Sequence, residues 1–252
     1  MSKVIAVANQ KGGVAKTTTV HSVGAALAER GNRVLLVDLD PQACLTYSLG
    51  FDPTDLGHTL HDVIVHGAGA ETALVKVKDL HLLPATIDLA GAEIYLLSKT
   101  GREYGLSRAL DAVVHGYDVV LIDCPPSLGI LTINGLTAAQ EVLIPLQCET
   151  LSSRGVGQLL ETIGDVRNYT NAGLRVAGVV ATMFDGRTNL AQNTLASMRD
   201  TYGLEVLEPP IPKSVKVAEA PGLSRSVLEH APRSAAAVAY RGLAETLESR
   251  LR

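Results

Sequence analysis

Short apolar runs punctuate the chain: KVIAVA (3–8), RVLLVD (33–38), LHLLPA (80–85), DVVLID (118–123), EVLIPL (141–146), RVAGVVAT (175–182) and, more weakly, LEVLEP (204–209). Most are continuously apolar rather than alternating, as in strands covered on both faces. Between them the apolar spacing is helical, over 17–30, 88–98, 105–115, 128–139, 155–169, 189–202 and 235–251. The first helix stops before Gly31, a residue free to take the left-handed conformation that closes a helix. Strand–helix alternation along the whole length predicts an α/β fold: a mostly parallel twisted sheet of about seven strands with helices on both faces. No linker, low-complexity stretch or internal repeat interrupts it, so 1–252 reads as one domain. Residues 209–233 break the rhythm with prolines at 209, 210, 212, 221 and 232, which predicts a structured surface loop.

Composition narrows the picture. Hydrophobic residues are 46% of 252, enough for a sizeable core, but aromatics are only 4% and Trp is absent, so that core must be aliphatic. A net charge of −4 excludes a strongly basic nucleic-acid binder. The first 184 residues carry 13 basic against 18 acidic residues and the rest 9 against 8, so any nucleic-acid surface is a local patch late in the chain. Cys44, Cys124 and Cys148 are odd in number and far apart. That spacing argues against a disulfide framework, a zinc site or an iron–sulfur cluster within one chain and fits a reducing cytoplasm. No apolar run reaches the length of a secretion signal core or a membrane span, so a cytoplasmic protein is expected.

Three stretches carry chemistry. In NQKGGVAKTTTV (9–20) a buried strand enters a Gly-rich turn and a helix begins near Lys16. Backbone N–H groups of such a turn face an anion, Lys16 would neutralise the β/γ-phosphates and the Thr17 hydroxyl would reach Mg²⁺. The usual spacing G-x-x-x-x-G-K-[ST] fails at both glycines, where Gln10 and Ala15 stand, and a second lysine, Lys11, precedes Gly12 and Gly13. In VLLVDLDPQ (34–42), Asp38 and Asp40 close a buried strand; a carboxylate pair there can order a Mg²⁺ shell and an attacking water. In VVLIDCPPSLG (119–129), Asp123 ends an apolar strand in position to hold Mg²⁺ through water, and Pro125 and Pro126 turn the chain away.

The variant K-G-G-x-x-K-[ST] resembles the deviant Walker A motif of the ParA/MinD branch of P-loop ATPases. With DCPPS (123–127), LLPATIDLAGAE (82–93), LTINGLTAA (131–139), VLIPLQCE (142–149), TMFDGRTNL (182–190) and APRSAAAVAY (231–240), the chain is similar to chromosomal Soj-type ParA proteins over nearly its whole length. The resemblance implies a single-domain P-loop NTPase that binds ATP and Mg²⁺, forms an ATP-dependent homodimer, binds double-stranded DNA non-specifically and has its slow hydrolysis stimulated by a ParB/Spo0J-type partner. A nucleoid-associated protein without a separate N-terminal DNA-binding domain is expected. ATP contacts are implied for Lys11, Gly12, Gly13, Val14, Ala15, Lys16, Thr17 and Thr18, with Lys11 crossing to the other subunit's nucleotide. Asp40 is implied in water activation, Asp38 lies closer to the metal's outer shell, and Thr17, Asp38 and Asp123 serve Mg²⁺.

The base would rest near Met183 and Pro212. Arg187, Lys213 and Lys216 match DNA-contacting positions, and Arg225 is a local candidate. Ala15 stands where most relatives have Gly, Ala43-Cys44 where they read Gly-Asn, and 149–155 lacks their aromatic and acidic residues, which touches dimer and partner contacts. If position 15 needs a positive φ, Ala there costs roughly 1–2 kcal/mol. Alternatives are a positioner of a protein or organelle cargo, a MinD-like membrane switch, which the acidic residues of the 238–252 tail disfavour, and an iron–sulfur relative, which would need paired cysteines.

Overall fold

The computed structural model describes residues 2–149 and 152–250. In chain order the elements are β1 (Lys3–Val7), α1 (Lys16–Glu29), β2 (Val34–Asp38), α2 (Cys44–Ser48), a π-helical turn (Asp62–His66), α3 (Ala70–Ala73), β3 (Val75–Val77), β4 (Leu80–Leu83) and α4 (Leu89–Leu97). There follow α5 (Gly105–Leu110), β5 (Val119–Asp123), α6 (Ile130–Ala138), β6 (Glu141–Gln147), α7 (Ser152–Tyr169), β7 (Arg175–Thr182), α8 (Asn189–Asp200), β8 (Val206–Leu207), α9 (Val215–Glu219), α10 (Val227–His230) and α11 (Ala235–Ser249).

All strands join one eight-stranded sheet in the order β3-β4-β2-β5-β1-β6-β7-β8. Every pairing is parallel except β3 with β4. From β1 the chain first moves toward β2 and β4 and later, through β6, to the other side. The strand order therefore reverses beside β1, and the crevice at its carboxyl end is where an open α/β sheet binds ligands.

Alternate residues of the buried strands feed two cores. Val4 and Ala6 of β1, with Leu35 and Val37 of β2, pack beneath α4 to α8. Ile5 and Val7, with Val34 and Leu36, pack beneath α1, α10 and α11. Gly24 lets α1 lie close on β2: a Cβ there would meet Leu36 Cδ2 at 2.7 Å. Leu243 and Leu247 of α11 are buried, so the tail packs as a terminal helix, while Leu251 lies outside the described residues. No helix among the described residues is long and apolar enough to cross a membrane.

The eighth strand is β3, whose three residues turn back through Lys78 at φ 53°. With no Gly or Asn-Gly at that turn, the hairpin carries none of the usual sequence signals. The helix expected over 105–115 ends at Leu110, and 209–233 is more ordered than a loop, holding α9 and α10. Helix α1 ends at Glu29, followed by Gly31 at φ 90°.

Candidate active site

The turn after β1 is shaped by hydrogen bonds to distant strands. The Asn9 side-chain amide donates to Pro145 O at 2.7 Å, its carbonyl accepts from the Lys11 N–H at 3.0 Å, and Val14 O accepts from the Thr182 hydroxyl at 3.0 Å. Val14 itself is buried and contributes backbone. Gly13 takes φ 75° and Ala15 takes φ 63°, ψ 35°, so position 15 is left-handed and the Ala there is strained. Ala43, before α2, repeats this at φ 51°. Both Gly-to-Ala departures noted in the sequence thus fall on residues that favour glycine.

Lys16, first residue of α1, is buried and donates to Lys11 O at 3.3 Å. Burial lowers its pKa, and the Asp123 carboxylate offsets this only in part. A cation kept in such a place calls for an anion. Lys11 pairs with Glu149 of its own chain, a half-exposed contact at the end of β6. Thr150 and Leu151 of the altered 149–155 segment lie outside the described residues.

Asp38 and Asp123 end adjacent parallel strands in register, yet their surroundings differ. Asp38 accepts from the Thr46 N–H (2.8 Å), the Thr46 hydroxyl (2.7 Å) and the Asp40 N–H (3.2 Å), which fastens β2 to α2. Burial raises its pKa to about 6 against those bonds. Asp123 is 1% exposed, and neither carboxylate oxygen accepts a well-formed hydrogen bond from any described residue. Burial first, and the Asp38 charge second, push it well above the carboxylate range; the Thr17 hydroxyl and Lys16 pull the other way. A buried carboxylate without well-formed hydrogen bonds is costly unless a cation completes it. With the Thr17 hydroxyl beside it, the donor set fits a hydrated Mg²⁺. Asp40 is more open and accepts from the Gln42 N–H at 2.9 Å; its other carboxylate oxygen accepts from no described residue.

A cavity of about 1080 Å³ opens beside these groups; Asp40 lines it, whereas Asp38 and Asp123 lie behind its wall. Gly12, Gly13, Ala15, Lys16, Thr17 and Thr18 line one end, with Asp40 beside them. Met183 (φ 48°) and Pro212 line it too, held together by the Phe184–Pro212 bridge and the Phe184 N–H bond to Ile211 O at 2.9 Å. Lys213 and Arg225 also face this cavity. Arg187 and Lys216 do not: Arg187 makes a two-point contact with Asp185 (2.8 and 2.7 Å), and Lys216 pairs with Glu219 at 2.9 Å. Sequence reasoning missed Asn9, Glu149 and Thr182, because each meets its partner across the fold, and Thr46, which reaches Asp38 only through the docking of α2.

A left-handed turn opening a buried helix, an under-bonded carboxylate on the neighbouring strand and a cavity at the switch point define a P-loop nucleoside triphosphatase. A family model described as an AAA domain matches residues 2–176. The chain is 44% identical over 247 residues to the sporulation initiation inhibitor protein Soj of Bacillus subtilis, covering 97% of this chain and 98% of that one. It is 44% identical over 254 residues to the chromosome partitioning protein ParA of Caulobacter vibrioides, covering 99% and 95%. A solved structure named cobyrinic acid a,c-diamide synthase, from Mycobacterium smegmatis with bound ADP and magnesium, superposes with a TM-score of 0.89 at 52% identity, covering 99% and 95%. The chain belongs to the ParA/Soj family of P-loop ATPases.

Proposed function

We propose that the protein is an ATP-hydrolysing switch of DNA segregation. One observation carries this reading: the cavity lined by the phosphate loop and Asp40 is also lined by Lys213 and Arg225. Nucleotide occupancy can thereby set the position of the basic segment that would meet DNA. Lys16, the backbone of 12–18 and the Met183–Pro212 pair would hold ATP. Thr17 and Asp123 would hold Mg²⁺, with Asp38 in its outer shell; the ion neutralises phosphate charge when bound. Asp40, partly open and next to this shell, would orient the attacking water.

Lys11 would serve the nucleotide of a second subunit. Its pair with Glu149 is a half-exposed ion pair, worth about 0–1 kcal/mol, and a phosphate would displace it readily. Dimerisation doubles the DNA contacts, which makes DNA binding follow ATP. Arg187, Lys216, nucleoid association and a ParB-type partner belong to the same reading. DNA binding measured with ATP, ADP and no nucleotide, on wild type and Asp40→Ala, tests it: ATP should promote dimer and DNA binding, and Asp40→Ala should hold the DNA-bound dimer. Equal binding in every nucleotide state would sink the switch.

A second reading, an ATP-dependent amide synthase, is suggested by the name of the Mycobacterium smegmatis structure. It requires ATP turnover that rises with a carboxylic acid and glutamine and ignores DNA and its partner.

A further inference from the structure

Three of the seven histidines, His58, His61 and His66, fall within nine residues that the nucleotide site does not use. The backbone there is unusual: Asp62–His66 form a π-helical turn, with His61 at its N-cap in helical conformation and Gly67 closing it at φ 68°. In an α-helix, residues five apart point about 140° away from each other. A π turn repeats at i→i+5, so it brings such residues to one face. His61 and His66 meet there, ring centroids 5.2 Å apart and nearly perpendicular.

Asp62 sits between them. One of its oxygens accepts from the Thr59 N–H (2.9 Å) and hydroxyl (3.3 Å), which fixes the carboxylate; the other accepts from no described residue. One donor atom from each of His61, Asp62 and His66 lies within 4.8 Å of the others. His61 and Asp62 are half-buried, whereas His66 is exposed, so the cluster has a solvent side.

We propose that His61, Asp62 and His66 form a binding site for a borderline divalent transition metal such as Zn²⁺. Two imidazoles and a carboxylate suit such ions, and an open side leaves room for water as a fourth ligand. Bonds of about 2.0–2.1 Å place tetrahedral ligands about 3.4 Å apart. Rotation of the exposed His66 and a small adjustment of His61 close the remaining gap. The Leu60 N–H bond to Pro84 O (2.9 Å) ties this segment to the end of β4, and Gly91 of α4 flanks the His61 ring. A bound ion would therefore clamp the π turn against β4 and α4.

Zn²⁺ titration of the full chain by calorimetry tests this, in excess Mg²⁺ so that the carboxylates of the nucleotide site are occupied. The expected result is one Zn²⁺ per chain, weakened about tenfold or more in His66→Ala and in His61→Ala. Co²⁺ should give the visible absorption of a low-symmetry site in wild type and lose it in both variants. His66 is exposed, so unchanged circular dichroism and melting of the metal-free His66→Ala protein are expected. Wild type that takes up no Zn²⁺ under these conditions overturns the proposal. So does binding that survives both histidine substitutions or is abolished by Cys44→Ala.

Discussion

The phosphate loop and the 209–233 segment face each other across one cavity but are held by different means. The loop is built into the sheet: Asn9 reaches β6, Val14 reaches β7, and α1 behind it buries nine residues, Lys16 among them. The opposing segment rests on short helices. Helix α9 buries no residue, whereas α10 buries Val227 and Leu228 and carries a reciprocal cap between Ser226 and Glu229. Segments with few buried contacts open at low free-energy cost, whereas core elements open only with the whole fold. One wall of the cavity is thus fixed, and on the other the α9 portion can follow what is bound.

The largest expected effect falls on the fixed wall. Lys16→Ala should lower nucleotide affinity about 10²-fold or more, measured by calorimetry, because no other buried cation lies in the loop. A mild loss would mean that the loop backbone carries the anion by itself. Asp123→Asn should lose the rise in melting temperature that Mg²⁺ gives wild type, because a neutral amide does not replace the carboxylate beside the ion. An unchanged Mg²⁺ response would move the metal elsewhere.

The seam between the walls contains His21, which accepts or donates to Ser48 at 3.2 Å and lines the cavity. Burial lowers its pKa to about 4, against the raising effect of Glu229. The unfolded chain binds this proton more readily, so stability falls as pH drops from about 6.5 toward 4. The loss is at most about 1.4 kcal/mol per pH unit, roughly 3 kcal/mol in all. Denaturant midpoints across that range, compared with His21→Gln, check it; parallel curves would clear His21.

On the adjustable wall, Lys213→Ala and Arg225→Ala should each weaken DNA binding uniformly across sequences and reduce the salt slope by about 1. An unchanged slope would place the DNA surface elsewhere. The smallest effect is expected for Ala15→Gly, which removes left-handed strain but adds unfolded-state freedom, for a net gain of about 0.5–1 kcal/mol. No change in either melting or nucleotide affinity would mean that the loop tolerates Ala without strain.

Continuous apolar runs fixed the strands, because a sheet covered on both faces admits no polar alternation, and the missed β3 is too short for any pattern to register. Gly12, Gly13, Lys16 and Thr17 were legible because a phosphate loop is local: its donors come from consecutive residues. Asp38 and Asp123 were legible for another reason: each closes an apolar run, and parallel strands put such ends side by side, with Asp40 just beyond.

Tertiary structure alone decided what each carboxylate is bonded to. Asp38 is saturated by Thr46 and Asp123 is not, although both end buried strands, and that difference depends on where α2 docks. It likewise decided that Lys11 rests on Glu149, and that Arg187 and Lys216 are locally paired while Lys213 and Arg225 face the cavity. By itself the sequence specified the fold, the phosphate loop and the acidic strand ends, since these follow from short-range spacing. Which groups are satisfied and which remain available depends on partners brought together by folding, and no local pattern encodes that.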